Sequence, residues 1–98
     1  MKLFKTVDER LAELGFKKLS ENRFGAEYTR YNAVHDFTQK VCLLHKLNGK
    51  HIIQSYDKDL FDERKIGNTC VGLTMLETKL FYKKMKQLGW KPCKRNGG

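Results

Sequence analysis

Cysteine, proline and long apolar runs are all scarce in this chain of 98 residues. Its three cysteines, Cys42, Cys70 and Cys93, are too few and too widely spaced for a disulfide framework, which favours the reducing cytosol as the compartment. No apolar run approaches the roughly 20 residues that cross a bilayer. A charged segment followed by an apolar one, as in a secretory signal, is also lacking. The sequence therefore predicts a cytoplasmic protein that does not engage a membrane.

Motifs for catalysis and for metal binding are lacking as well. The chain has neither a glycine-rich phosphate loop nor the Gly-x-Ser-x-Gly turn of serine hydrolases. Its histidines and cysteines form no closely spaced pair from which a zinc site could start. The acidic segment that begins at Asp57 departs from a calcium loop, because Phe61 and Asp62 occupy positions that need an oxygen ligand and a glycine. We expect no enzymatic activity, no metal and no other cofactor.

Positive charge is the most prominent feature that the sequence does contain. Lysine and arginine number 20 against 11 acidic residues, which gives a formal net charge of +9. Apolar residues still make up 40% of the chain, which suits a folded globular domain and argues against disorder. The length allows a single domain, which we assign to residues 1–93, followed by a flexible basic tail over residues 94–98.

The first predicted element is an amphipathic helix over residues 1–14. Thr6 begins a capping-box pattern, so the regular helix can start there. Gly15 supplies the left-handed residue that ends the helix, and Phe16 can fold back onto the last turn. The apolar positions, spaced 3, 4 and 3 apart as one helical face requires, are Phe4, Val7, Leu11 and Leu14.

A second amphipathic helix is predicted over residues 74–88. Thr74 begins another capping-box pattern, with Glu77 at the third helical position. Gly89 is the terminating glycine, and Trp90 is its apolar partner. The two helices therefore share the same signals for where they begin and end.

Between the helices the apolar period changes from helical to two, and Asn48-Gly49 is the clearest hairpin signal. A type I′ turn there requires positive φ at both residues and places Leu43 opposite Gln54. Such a hairpin directs one apolar face toward the helices. That face consists of Phe37, Val41, Leu43, Leu47, Ile52 and Tyr56.

The opposite face of the predicted hairpin is mixed in polarity and should meet solvent or a partner. In this register His45 and His51 point to opposite faces. Cys42 and His51 share the outer face, but they are two cross-strand pairs apart, too far for a catalytic Cys–His hydrogen bond.

Two further strands are predicted upstream, over residues 24–31 and, more weakly, 16–20. The element order is then α-β-β-β-β-α, an α+β fold with a four-stranded antiparallel meander and two helices packed on one face. The segment 57–73 is a long connection that must pack in part, since it contains apolar residues. The predicted core is Val7, Leu11, Leu14, Val41, Leu43, Ile52, Tyr56, Leu76, Leu80 and Phe81.

The basic residues concentrate at the C-terminal end, where seven of them and no acidic residue follow Thr78. On the second helix Lys79, Lys83 and Lys86 lie within about 60° of one another, whereas Lys84 falls in the apolar arc and should snorkel to its edge. The pattern indicates a phosphate-contact surface, or else a solvated face that complements the helix dipole. The candidate nucleic-acid or polyanion-binding residues are Lys79, Lys83, Lys86, Lys91, Lys94 and Arg95.

Residues 51–56 (HIIQSY), residues 70–74 (CVGLT) and the lysine-rich helix that ends in LGW resemble small uncharacterised proteins encoded by phages and prophages of Gram-positive bacteria. The resemblance implies an accessory protein inside the host cell and assigns no functional residue. The element order is also similar to that of double-stranded-RNA-binding domains. This chain departs from them in its extra strand and in the sequence Thr74-Met75-Leu76-Glu77, where that family has a cationic cluster.

The sequence thus predicts a small non-enzymatic binding protein, a phage or prophage accessory product, that contacts a polyanion such as nucleic acid. The alternative is a protein-interaction module that binds an acidic host protein through the same surface. A third possibility is a small-ligand binder that uses the segment 57–73.

Overall fold

The computed structural model describes residues 5–62 and 69–91. Its four strands form one antiparallel sheet in the order β1-β2-β3-β4. The predicted α+β meander is therefore confirmed, with one short helix, α2, added after the last strand. The elements are α1 (Val7–Glu13), β1 (Lys17–Asn22), β2 (Gly25–Asn32), β3 (Phe37–Leu44), β4 (Ile52–Asp57), α2 (Lys58–Asp62) and α3 (Met75–Gln87).

Local signals set the ends of α1. The hydroxyl of Thr6 accepts a hydrogen bond from the Glu9 N–H at 3.1 Å, so the helix begins at the predicted cap. Gly15 has a φ of 95°, and the Phe16 N–H donates to the Leu11 carbonyl at 3.0 Å. This is the predicted glycine-terminated end of the helix. Residues 1–4, the predicted first turn, lie outside the described residues.

The same signals set the ends of α3. Thr74 and Glu77 cap each other: the Glu77 N–H donates to the Thr74 hydroxyl at 3.1 Å, and the Thr74 N–H donates to the Glu77 carboxylate at 2.9 Å. At the other end Gly89 has a φ of 84°, and the Trp90 N–H donates to the Met85 carbonyl at 3.0 Å. The predicted second helix is confirmed to within one residue at each end.

The core lies between one face of the sheet and the two longer helices. Ala26 and Tyr28 on β2, and Val41 and Leu43 on β3, alternate along their strands and so share the core face, whereas the buried Cys42 lies on the opposite face. The Phe81 ring of α3 meets the rings of Phe16 and Tyr28 edge to face, with centroids 5.2 and 5.3 Å apart. The buried cluster is Leu11, Phe16, Ala26, Tyr28, Val41, Leu43, Leu80, Phe81, Met85 and Trp90.

The register between β3 and β4 differs by one residue from the prediction. Leu43 lies opposite Ile53, not Gln54. Because side chains alternate between the two faces of a strand, this slip turns β4 over. Ile53 packs against the core, whereas Ile52 is 39% exposed. Tyr56 lies on the outer face with its hydroxyl 3.9 Å from the Cys42 sulfur. The prediction that Ile52 and Tyr56 are core residues is wrong.

The length of the turn explains the slip. The observed register, continued to the end of the hairpin, places Lys46 opposite Lys50 and leaves a loop of three residues, 47–49. Gly49 has a φ of 79°, but Asn48 does not have a positive φ, so the two-residue type I′ turn is not formed. The Gly49 N–H donates to the Lys46 carbonyl at 3.0 Å. A turn followed by one left-handed residue is the usual three-residue hairpin loop.

Part of the segment 57–73 packs against β4, as its apolar residues predicted. The Asp57 N–H donates to the Thr69 carbonyl at 2.7 Å, and the Val71 N–H donates to the Ser55 carbonyl at 3.0 Å. Cys70 forms an isolated antiparallel bridge with Tyr56. These contacts pair residues 69–71 with the β4 edge of the sheet through a single isolated bridge.

A charged side chain occupies the core-facing side of α3. Lys84 is 3% exposed, so it does not snorkel to the edge of the helix as predicted. Its ammonium group lies 3.1 Å from a carboxylate oxygen of Asp8 on α1 and 2.5 Å from one of Glu21 on β1. Lys18 reaches the same two carboxylates at 3.1 and 3.2 Å. The Tyr28 hydroxyl donates to Asp8 at 2.8 Å, and the cluster joins α1, β1, β2 and α3.

A second buried charge lies on α3 seven residues before Lys84. Glu77 is 5% exposed, and its carboxylate lies 2.7 Å from the guanidinium of Arg30 on β2. Arg30 donates to the Gln39 side chain at 2.9 Å, and Gln39 donates to the Ser55 hydroxyl at 2.7 Å. This chain of hydrogen bonds runs from α3 across three strands.

The two ion pairs rotate α3 relative to the face predicted from hydropathy. The buried positions are Glu77, Leu80, Phe81, Lys84 and Met85. Leu76, predicted as core, is 54% exposed because its place in the buried stripe is taken by the charged residue beside it.

The acidic members of these clusters have perturbed titration. Burial acts to raise the pKa of Asp8, but the hydrogen bonds from Tyr28, Lys18 and Lys84 outweigh it, and the pKa is lowered. The hydrogen bond from Lys84 lowers the pKa of Glu21 against an opposing effect of burial. For Glu77, burial acts to raise the pKa, but the hydrogen bonds from the Thr74 N–H and from Arg30 outweigh burial, and the pKa is lowered. All three carboxylates are therefore held in the ionised form.

Replacing Leu80 by alanine should lower the free energy of unfolding by about 2–5 kcal/mol, since the side chain is 3% exposed. The matched control is Leu76→Ala on the same helix, which should change stability by less than about 0.5 kcal/mol. Urea denaturation followed by circular dichroism measures both. Equal losses in the two variants would contradict the observed rotation of α3.

The lowered carboxylate pKa values predict sensitivity to acid. A carboxylate with a lowered pKa in the folded state stabilises the fold above its unfolded pKa, about 4, and this stability is lost as pH falls through the folded value. The unfolding free energy should therefore fall steeply below about pH 4.5. Glu21→Gln should be less stable at neutral pH and show a shallower fall in stability, because it lacks the Glu21 carboxylate. Some fall should remain, because Asp8 and Glu77 still contribute.

The control for this experiment is Glu27→Gln, since Glu27 lies 3.6 Å from Lys40 and apart from the buried cluster. It should keep the steep dependence of the native chain. The measurement is the urea midpoint of each variant between about pH 7 and pH 3. An unchanged dependence of stability on pH in Glu21→Gln would exclude Glu21 as a source of the acid sensitivity.

Candidate nucleic-acid interface

Three of the predicted lysines lie together on the solvent side of α3. Lys79, Lys83 and Lys86 are all exposed, and their spacing places them along about 10 Å of one helix face. We call these three residues the basic stripe. Within residues 5–62 and 69–91, no carboxylate lies within 4.0 Å of their ammonium groups. Their charges are therefore available to a partner.

The buried charges of α3 explain why this stripe is exposed. Glu77 and Lys84 face the sheet, and the basic stripe occupies the opposite side of the helix. Two lysines adjacent in sequence, Lys83 and Lys84, thus have opposite roles: the first is exposed, and the second is held by Asp8 and Glu21 inside the fold.

The remaining predicted site residues follow α3. Lys91 is exposed directly after the buried Trp90. Lys94 and Arg95 lie outside the described residues, so the structure does not place them relative to the basic stripe.

The tip of the β3–β4 hairpin packs against the end of α3 through an aromatic cluster. The ring centroids of His45 and His51 are 4.6 Å apart, and each lies 5.1 Å from the ring centroid of Trp90. The prediction that the two histidines point to opposite faces is wrong. The observed register, continued one pair beyond Leu44 and Ile52, places His45 opposite His51, so the same one-residue slip brings both side chains to one face.

Backbone groups hold the members of this cluster in place. The Lys46 N–H donates to Nδ1 of His51 at 3.0 Å, so the ring proton lies on Nε2, which donates to the Lys91 carbonyl at 2.7 Å. The indole N–H of Trp90 donates to the Arg23 carbonyl at 2.8 Å. The rings of His51 and Trp90 are therefore fixed relative to α3.

A pocket of about 350 Å³ opens between this cluster and the basic stripe. Tyr82 and Lys86 contribute the α3 side, and the Lys86 ammonium lies 4.9 Å from the centre of the Tyr82 ring. Tyr82 is 46% exposed. We call this site the aromatic pocket, and it is lined by Gly49, His51, Ile53, Tyr82, Met85, Lys86 and Trp90.

Sequence reasoning found the lysines of this site but not its aromatic wall. The sequence pattern assigns Trp90 only as the apolar partner of a helix end. The periodicity of α3 shows that Tyr82 joins the basic stripe at helical spacing, three residues after Lys79 and four before Lys86. No local signal indicates that the hairpin tip meets Trp90, because the two are about 40 residues apart in sequence.

The cysteines and acidic residues form no competing site in the described part of the chain. Cys42 is buried beside Tyr56, and Cys70 is exposed. Across residues 5–62 and 69–91, no group of three or more histidine, cysteine, aspartate or glutamate side chains could hold a metal ion. In the same ranges no helix is both long enough and apolar enough to cross a membrane.

No protein-family model, curated protein or solved structure significantly matches this chain. The resemblance to phage and prophage proteins stays a prediction from sequence. Functional inference therefore rests on the geometry and charge of the site.

The conformation of Gly49 predicts a requirement for glycine at the hairpin tip. An alanine at a φ of 79° should cost about 1–2 kcal/mol, because its Cβ crowds the following carbonyl. Gly72→Ala is the control, since Gly72 has no positive φ and nothing within 4 Å of an added Cβ. Urea denaturation compares the two, with Trp90 fluorescence reporting on the packed tip. If the Gly49→Ala variant proves as stable as Gly72→Ala, the result would contradict the three-residue loop.

Proposed function

We propose that this protein is a small non-enzymatic nucleic-acid-binding protein that contacts phosphates through the basic stripe of α3. Lys91, which follows α3, and Lys94 and Arg95, which come after it in the sequence, are the further proposed contact residues. The observation that supports the proposal is the set of three aligned ammonium groups that no carboxylate of the described residues neutralises.

The charge of the chain supports the same proposal. A formal net charge of +9 attracts polyanions over distances of about a Debye length, which raises the rate of encounter. The stripe then provides the close contacts, because each lysine that neutralises a phosphate releases condensed counterions. Such binding is independent of sequence, in keeping with the lack of a base-reading motif.

A phage or prophage origin and a cytoplasmic location complete the proposal. They rest on the resemblance of residues 51–56 and 70–74 and on the small number of cysteines. An acidic host protein that binds the same stripe is the alternative function.

Changing Lys79, Lys83 and Lys86 together to glutamine should weaken binding to short oligonucleotides and flatten its salt dependence. Each lost phosphate contact lowers the magnitude of the logarithmic salt slope by about 0.7–0.9, so the triple variant should lose about 2–3. Fluorescence anisotropy with labelled single- and double-stranded DNA, at about 50 to 200 mM salt, measures the affinity and its salt dependence. The fold should survive, because all three side chains are exposed.

The charge-matched control changes Arg10, Lys17 and Lys40 to glutamine, which removes three charges from α1 and from the sheet face away from the helices. It should reduce affinity less and leave the salt slope nearly intact. A larger effect in this control than in the stripe variant would contradict the basic stripe as the interface. Native binding no tighter than about 10⁻⁴ M at low salt would remove the nucleic-acid proposal. Titration with an acidic polyglutamate peptide would then test the alternative.

A further inference from the structure

The aromatic pocket lies where the basic stripe ends, and it has the size of a small-ligand site. Its volume of about 350 Å³ is at the lower end of the range for such pockets. Lys86 belongs to both features, and Tyr82, which also lines the pocket, lies beside the stripe at helical spacing from Lys79 and Lys86. A strand held along the stripe would therefore pass the mouth of the pocket.

The walls of the pocket present ring surfaces more than hydrogen-bonding groups. The polar atoms of His51 and Trp90 are occupied by backbone groups of Lys46, Lys91 and Arg23. Tyr82, nearly half exposed, offers a ring that a planar group can cover. Such a surface binds by stacking, which every nucleobase can satisfy because every base has a π face.

Three further lysines adjoin lining residues of the pocket, in sequence or through their backbones. Lys50 stands between the lining residues Gly49 and His51, and the backbones of Lys46 and Lys91 hydrogen-bond to His51. All three lysines are exposed, and within the described ranges no carboxylate lies within 4.0 Å of their ammonium groups. We call them the rim lysines. No acidic residue is among those that line the pocket.

We propose that the aromatic pocket stacks an unpaired nucleobase while the basic stripe and the rim lysines hold the adjoining phosphates, so that the protein prefers single-stranded over double-stranded nucleic acid. This inference rests on the proposed function and assigns its substrate class. A pocket lined by Tyr82 and by the cationic Lys86, at the end of a stripe of exposed lysines, matches a planar base that carries an anionic backbone. A base inside a duplex is already stacked and paired, so it enters such a pocket only after it has been flipped out.

The test compares three labelled DNA probes of equal length: a single strand, the same strand with abasic sites throughout, and a duplex. The native chain should bind the single strand about 10-fold more tightly than the abasic strand, as expected when a base stacks on an aromatic side chain. The single tryptophan provides an independent signal. Its fluorescence should be quenched by the single strand and not by the abasic strand.

The variant Tyr82→Leu should lower affinity for the single strand to the level of the abasic strand. Affinity for the abasic strand and the salt slope should remain unchanged, which also shows that the variant is folded and keeps its basic stripe. The control is Tyr31→Leu, a tyrosine that is 60% exposed on the outer side of β2. It should leave all three affinities unchanged.

The outcomes separate this inference from the proposed function. Equal affinity of the native chain for all three probes, with the stripe variant still weakened, would overturn the pocket inference and retain the nucleic-acid function. Loss of affinity for the abasic strand in Tyr82→Leu would also overturn it, since it would assign the tyrosine to the fold or to phosphate contact. Lack of binding to every probe would overturn both.

Discussion

The burial of the Lys84 ammonium between Asp8 and Glu21 is the constraint on which the placement of α3 depends. A buried charge that loses its partner costs several kcal/mol, so α3 can pack only in a rotation that pairs Lys84. The Glu77–Arg30 pair, seven residues earlier, requires the same rotation. With both charges directed to the sheet, the opposite side of the helix is left to solvent, and that side carries the basic stripe.

The aromatic pocket depends on a second constraint, the three-residue loop of the β3–β4 hairpin. Gly49 in the left-handed region allows the loop to close one residue longer than a type I′ turn. The hairpin tip then packs both histidines against Trp90, which the end of α3 has folded back. The pocket therefore combines a loop conformation and a helix end from distant parts of the chain.

Under the proposed nucleic-acid function, the two constraints together favour an unpaired strand over a duplex. In double-stranded-RNA-binding domains, which have a similar element order, a cationic cluster stands where this chain has Thr74-Met75-Leu76-Glu77. Here the start of α3 is an acidic cap held by Thr74 and Glu77, and the cations lie further along the helix. Cations beside an aromatic pocket allow a base to stack while the backbone is neutralised, which is the usual way of binding single strands.

The sequence by itself determined the features that local physics decides. Capping boxes and terminating glycines set the ends of α1 and α3, alternation predicted the four strands, and helical spacing grouped Lys79, Lys83 and Lys86. The tertiary structure alone decided the β4 register, the burial of Lys84 and the meeting of His51 with Trp90. A one-residue difference in loop length turns every side chain of a strand to the opposite face of the sheet. The ion pair between Lys84 and Asp8 joins residues that are 76 positions apart in the sequence. Such outcomes depend on which charges and rings the folded chain brings together, and hydropathy periodicity carries no information about those pairings.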